Sequence, residues 1–239
     1  AEDELQEVKD RFFREAESAG RLNHPNIVSI FDAGEESDLA YIAMELLKGK
    51  DLDGYIKKDH LLPLDKVLDI GIQCAEALDY AHSQHVVHRD IKPSNIMYDP
   101  ETGDVKITDF GIARIADASQ TRTGTVLGTP NYMSPEQCMG KHVDGRSDLF
   151  SLGVVLYQLS SGGLPFKGES MATLMYAIVN EAPTDVRQHR ADIPATLRKV
   201  IHNAIGKKPD RRYPTGGKLA EHLRICRKRL KTESDTAKT

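Results

Sequence analysis

Apolar positions recur every three or four residues over 4–22, where Val8, Phe12, Ala16 and Ala19 share one face and charges occupy the others. That spacing predicts an amphipathic helix with Gly20 near its end. Asn23-His24-Pro25-Asn26 breaks the pattern, and the β-rich run at 27–31 predicts a strand. Residues 33–38 read as a loop, and 39–46 as a second strand. Over 64–85 the stripe Leu64, Val67, Leu68, Gly71, Ile72, Ala75, Leu78 and His82 predicts a long helix with one core face. The short runs 96–98 and 105–107 flank a turn-rich stretch and predict a hairpin. Residues 112–127 have no apolar period and many hydroxyls, the pattern of a surface loop. A strongly apolar helix opens at 147 and carries Val154, Val155, Leu156 and Leu159. A Gly/Pro-rich connection follows at 160–168, then helical patterns near 170–180, 195–204 and 218–230. From 231 to 239 the chain turns polar and reads as a disordered tail, frayed from Thr232.

Composition narrows the classes without choosing a function. The 239 residues include 39% hydrophobic and 28% charged, with net charge −4, ordinary for a globular chain and without the basic excess of a nucleic-acid binder. Nine histidines fall in no metal-ligand spacing. Cys74, Cys138 and Cys226 are far apart, with no C-x-x-C pair, so they read as reduced structural thiols of a cytoplasmic protein. No apolar run approaches a membrane span and no signal peptide opens the chain.

Chemistry concentrates in His88-Arg89-Asp90-Ile91-Lys92-Pro93-Ser94-Asn95 and in Asp109-Phe110-Gly111, fourteen residues after Asn95. Phosphoryl transfer needs such a set: a carboxylate to orient a hydroxyl and take its proton, an amide oxygen and a second carboxylate for Mg²⁺, and a lysine to neutralise the moving charge. These stretches resemble the catalytic loop and the metal-binding turn of the protein kinase superfamily. The resemblance implies that Asp90 and Lys92 are catalytic, that Asn95 and Asp109 hold Mg²⁺, and that ATP is the phosphoryl donor. It runs from Glu4 to about Leu230, and it implies roles for further residues.

Residues 4–46 resemble the family's helix C and its fourth and fifth strands. Glu15 is then the glutamate that pairs with a nucleotide-anchoring lysine, with Glu17 as the alternative. Met44-Glu45-Leu46-Leu47 resembles the inter-lobe hinge. Met44 becomes the gatekeeper, the backbone of Glu45 and Leu47 meets the adenine edge, and Met97 lies beneath the ring. Asp53 sits where the family places a polar ribose contact. His88 and Phe110 would stack in an internal apolar spine, and Gly111 completes the metal-binding turn. The loop at 112–127 becomes the activation loop. Phosphate on Ser119, Thr121, Thr123 or Thr125 would add about −1.5 to −2 charge, able to pair with Arg89 and Arg114. Residues 128–136 resemble the substrate-docking segment, with Ser134-Pro135-Glu136 where the family has Ala-Pro-Glu. There Thr129 would bridge Asp90 and Lys92, and Glu136 would pair with Arg212. Asp148 would accept backbone hydrogen bonds from the catalytic loop.

The implied fold is α+β: a protein-kinase-like bilobal fold with a truncated small lobe at 1–46 and a complete, mainly helical large lobe at 47–230. No G-x-G-x-x-G and no Val-Ala-Ile-Lys strand precede the first helix. The expectation is therefore a fragment, the C-terminal four-fifths of a kinase domain. Its parent would be an active Ser/Thr protein kinase of the bacterial eukaryotic-like type, acting on protein substrates, with a homodimer open to it at full length. Loss of one preorganised donor costs roughly 10² to 10³ in rate, so the chain alone is expected to be inactive or weakly active. The alternative is a non-catalytic kinase-like scaffold or pseudokinase that binds protein partners. A small-molecule kinase of related fold is disfavoured by 128–136.

Overall fold

The computed structural model describes residues 9–10, 13–14, 16–36, 39–110 and 130–236, with side chains up to Thr232 at the C-terminal end. Residues 9, 10, 13, 14 and 16–20 are helical and form α1. Its apolar face is sequence-encoded: Ala16 and Ala19 are buried, with Leu22 just beyond. Strands β1 (Ile30–Glu36) and β2 (Leu39–Met44) pair antiparallel as a ribbon.

The ribbon corrects the sequence reading at both ends of its first strand. Residues 33–36, expected as loop, are strand, because they pair with Leu39 to Ile42. Gly34 lies opposite Tyr41, and a Cβ there would come 2.6 Å from the tyrosine hydroxyl. The glycine that suggested a turn is instead room for a ring. Residues 27–29, expected as strand, lie outside β1. Ile27 makes a single parallel bridge to Ile107, the Val28 N–H bonds the Ile107 carbonyl at 3.0 Å, and the Ile107 N–H bonds the Asn26 carbonyl at 2.9 Å.

The larger part contains the three-stranded sheet β3 (Lys50–Asp51), β4 (Ile96–Tyr98) and β5 (Val105–Ile107), in the order β3-β4-β5. Its helices are α2 (Leu64–Ser83), α3 (Pro135–Cys138), α4 (Gly145–Ser161), α5 (Met171–Asn180), α6 (Ala195–Ala204) and α7 (Gly216–Thr236). Helix α4 is buried at every position from Ser147 to Ser161: its apolar residues pack into the core, and Ser147, Asp148, Ser151 and Gln158 are buried with hydrogen-bond partners. Asp144 caps its start by accepting the Arg146 N–H. Helix α2 lies directly on it: a Cβ on Gly71 would come within 2.7 Å of Leu156. Leu156→Ala would leave a cavity at that crossing and cost about 2–5 kcal/mol.

Helix α2 stops at Ser83, two residues before the expected end. His85 turns left-handed at φ 61°, and the N–H groups of His85 and Val86 return to the His82 and Ala81 carbonyls. Those bonds form a Schellman cap that sends the chain toward the site. Helix α7 runs past the expected 230, and 231–236, expected as disordered tail, are helical. Lys231 and Thr232 are exposed, so the helix continues there without an apolar face to mark it. Arg224–Glu76 and Arg227–Asp69 pairs link α7 to α2. Burial pushes the Cys74 thiol up to about 12 and Cys138 up to about 11, as structural thiols require. No described helix is long and apolar enough to cross a membrane.

Candidate active site

The loop from Val86 to Asn95 leaves the capped end of α2 and returns as β4. Its shape is held by one carboxylate. Asp148, wholly buried in the first turn of α4, accepts the His88 N–H at 2.8 Å, the Arg89 N–H at 2.7 Å and His82 Nε2 at 2.7 Å. A buried carboxylate needs such a complete set of donors. The His88 ring is fixed from both sides: Nδ1 accepts the Asp90 N–H at 3.1 Å, and Nε2 lies 2.7 Å from the Thr108 carbonyl. Only the Nε2-protonated tautomer satisfies both contacts. Arg89 at φ 70° and Asp109 at φ 59° are left-handed non-glycine residues. Each costs about 1–3 kcal/mol, and such strain persists where surrounding bonds over-determine the backbone.

This frame brings four sequence-predicted residues together. Lys92 Nζ lies 2.7 Å from Asp90 Oδ2. Asn95 donates its side-chain N–H groups to the Asp90 carbonyl at 2.8 Å and to Asp90 Oδ2 at 3.1 Å. That commits the amide nitrogen and leaves the amide oxygen as the remaining ligand atom. Asp109 joins through Thr108, whose N–H bonds the Asn95 carbonyl at 2.9 Å and whose hydroxyl lies 3.3 Å from Asp109 Oδ2. One amide oxygen and one carboxylate suit Mg²⁺, which prefers few protein ligands and takes the rest from phosphate and water. Among the described residues no three His, Cys, Asp or Glu side chains gather as a self-sufficient metal site.

On the nucleotide side, His88 and Phe110 meet edge to face at 4.6 Å. Phe110 and Asp109 line a hollow with Ala19, Ile27, Val28, Ile30 and Met44. Met97 in β4 is half-buried and pairs with Asp51 and Lys106. The Glu45 N–H is taken by the Ser29 carbonyl at 3.0 Å, while Leu46 beside it is 96% exposed. Leu47 is half-buried in the chain that leaves β2. Glu45 Oε1 accepts Ser29 N–H at 2.7 Å and Lys106 Nζ at 2.6 Å. Burial would raise its carboxyl, but those bonds outweigh it and hold Glu45 below the usual carboxylate value. Asp53 is raised, by burial first and by Asp51 next, against the pull of Lys92.

On the far side of the loop, Glu136 and Arg212 are buried and form two parallel bonds of 2.6 and 2.7 Å. Burial would raise the Glu136 carboxyl, yet bonds from Arg212 and Ser147 Oγ hold it low. The guanidinium also reaches the Gly206, Lys207 and Arg146 carbonyls. Glu15, Gly111, Arg114, Ser119, Thr121, Thr123, Thr125 and Thr129 lie outside the described residues.

Four contributors escaped sequence reasoning. His82 was counted in an apolar stripe but reaches Asp148. Gln137 donates to the Arg89 carbonyl at 2.8 Å while completing a capping box with Ser134; the Ser-x-x-Gln spacing is a readable signal for that cap. Ser147 reaches Glu136 at 2.5 Å. Lys207 donates to the last carbonyls of α5 and lies 3.6 Å over the Phe166 ring, with burial lowering its amine to about 8.

A protein kinase domain model matches residues 1–223, and the chain belongs to that family. Serine/threonine-protein kinase PknB of Mycobacterium leprae is 42% identical over 219 residues, 89% of this chain and 35% of that protein. Serine/threonine-protein kinase PrkC of Bacillus subtilis is 39% identical over 217 residues, 90% of this chain and 33% of that protein. The chain thus spans about a third of the length of these relatives. The crystal structure of the Mycobacterium tuberculosis PknI kinase domain matches with a TM-score of 0.70 at 29% identity, covering 92% of this chain and 79% of that one. Rad53 1–466 in complex with AMP-PNP matches with a TM-score of 0.76 at 29% identity, covering 89% and 54%. The α+β kinase fold with its helical large lobe, and the kinship with bacterial Ser/Thr kinases, stand as the sequence implied.

Proposed function

We propose that this chain is the catalytic part of a Ser/Thr protein kinase, which moves the γ-phosphoryl group of ATP to a protein hydroxyl in the cytoplasm. The observation that carries the reading is the Asp90–Lys92–Asn95 cluster, held on Asp148 and facing Asp109 across Thr108. Asp90 orients the substrate hydroxyl and takes its proton at a carboxylate oxygen as the new O–P bond forms and the bond from the γ-phosphorus to the bridging oxygen breaks, releasing ADP. Lys92, already paired with Asp90, shields the charge on the transferring group. Asn95 and Asp109 would hold Mg²⁺, which supplies charge neutralisation at the phosphates when bound. The Glu45 carbonyl and Leu47 N–H would meet the adenine edge, with Met44 as gatekeeper, Met97 beneath the ring and Asp53 toward the ribose.

The remaining assignments belong to the same reading. Residues 1–46 belong to the small lobe and 47–230 to the large lobe. Glu15 supports the nucleotide site, and Thr129 bridges Asp90 and Lys92. Phosphate at Ser119, Thr121, Thr123 or Thr125 engages Arg89 and Arg114.

The test compares the full-length protein with its Asp90→Asn variant, using ATP, Mg²⁺ and a generic protein substrate. Loss of a positioned base costs about 10³-fold, within the usual span for general-base catalysis. Phosphate should appear on serine and threonine, and chelation of Mg²⁺ should abolish it. Equal incorporation by both proteins would overturn the assignment and favour the scaffold reading.

A further inference from the structure

Glu45 does more than offer a backbone carbonyl. Its carboxylate closes a corner between three pieces of chain. One is Ser29, which bonds Glu45 twice: its carbonyl accepts the Glu45 N–H, and its N–H donates to Oε1. The second is the connection that leaves β2 at Glu45. The third is Lys106 in β5, whose Nζ lies 2.6 Å from the same Oε1. Lys106 stands opposite Met97 in the sheet, and three residues later the chain reaches Asp109. A single carboxylate oxygen therefore sets the start of the adenine-facing connection against the strand that carries the metal-side carboxylate. The pair is about three-quarters buried on both sides, so solvent screens it less than an open surface pair.

The chain makes few other links at this point. Among the described residues, the nearest backbone bonds between the β1–β2 part and the large-lobe sheet are those of Asn26 and Val28 with Ile107. These fix the entry to β1 and leave the exit from β2 to Glu45. We infer that Glu45 is a positioning residue for the nucleotide, acting through Lys106 to set the distance between the adenine-binding connection and Asp109. The inference rests on the kinase reading and goes beyond it, since it gives a role to a side chain pointing away from the nucleotide contacts assigned above.

The test uses the full-length protein with Glu45→Gln, Lys106→Met and the double variant. Loss of the ion pair should raise the KM for ATP about tenfold in either single variant, while kcat falls much less and the KM for protein substrate stays level. The double variant should match the singles rather than multiply them, because one contact is lost in all three. Hydrogen exchange at the Ser29 and Glu45 amides should quicken in the same variants without nucleotide. An unchanged KM for ATP, or a multiplied effect in the double variant, would overturn the inference. Should the wild type prove inactive, the kinase reading fails by itself. Exchange then decides the corner alone: faster exchange upholds the Glu45–Lys106 tie and unchanged exchange removes it.

Discussion

The loop that carries Asp90 and the β1–β2 ribbon are built in opposite ways. Around the loop almost every buried polar group is answered: Asp148 holds three donors, His88 is bonded at both nitrogens, and Glu136 is met by Arg212 and Ser147. The ribbon pairs antiparallel with a register shift between Ile30 and Asp32, and among the described residues little lies beneath it. Phe31 is 70% exposed and Leu39 73%, with Tyr41 and Met44 also open. Two strands alone are marginal, and an open apolar ribbon invites association. The contrast separates two demands on a transfer enzyme. On the proposed reading, the groups that move protons and charge need a fixed frame, while the groups that admit a nucleotide tolerate looser support.

Four measurements would break or sharpen that contrast. Arg212→Ala strands Glu136 as a buried charge, and denaturant unfolding should show a loss of about 3–5 kcal/mol. A loss under 1 kcal/mol would mean that water reaches the pair and that the frame is softer than its geometry. Asp148→Asn removes an acceptor from the loop and should cost about 2 kcal/mol, with faster amide exchange at His88 and Arg89. Exchange unchanged at those two amides would detach the loop's shape from α4.

Acid should act on the same side of the molecule. The folded Glu136 carboxyl titrates below its ordinary value of 4.5, so its contribution is complete above that value and disappears as pH falls through the folded value. Stability followed downward from pH 5 should decline in the wild type and more gently in Glu136→Gln. Parallel curves would assign acid sensitivity to other carboxylates. The smallest effect belongs to the ribbon. Phe31→Ser should change the stability of this chain by no more than about 0.5 kcal/mol while reducing its self-association. A loss above 1 kcal/mol would show that the ring is covered in solution.

What was legible in the sequence follows the same division. The loop 88–95 and the Asp109 turn were readable as motifs of fixed local spacing, and the Glu136–Arg212 pairing, 76 residues apart, only through the family resemblance. Helices α2, α4, α5 and α6 were readable from apolar period. His82 was not, because a histidine in an apolar stripe gives no hint that its far nitrogen meets a carboxylate 66 residues on. Gln137 and Ser147 act through contacts that only the fold creates. Residues 33–36 misled because glycine and glutamates signal a loop, whereas the opposing tyrosine required a small residue in a strand. Residues 231–236 misled because they carry no apolar period, and a helix that continues without one looks like a tail.

The bonds of Asn26 and Val28 to Ile107 have a mechanical consequence. They rivet the incoming chain to the larger part up to Val28, and the strands of the ribbon begin at Ile30 and end at Met44, with Ser29 and Glu45 bonded to each other just outside them. Ser29 and Glu45 lie between rivet and ribbon. Any swing of the ribbon relative to the larger part would therefore turn about a line through those two residues, as a door turns on its pins. With Lys106 pressing on one pin, the geometry limits the door's play at its jamb while its outer edge travels farthest.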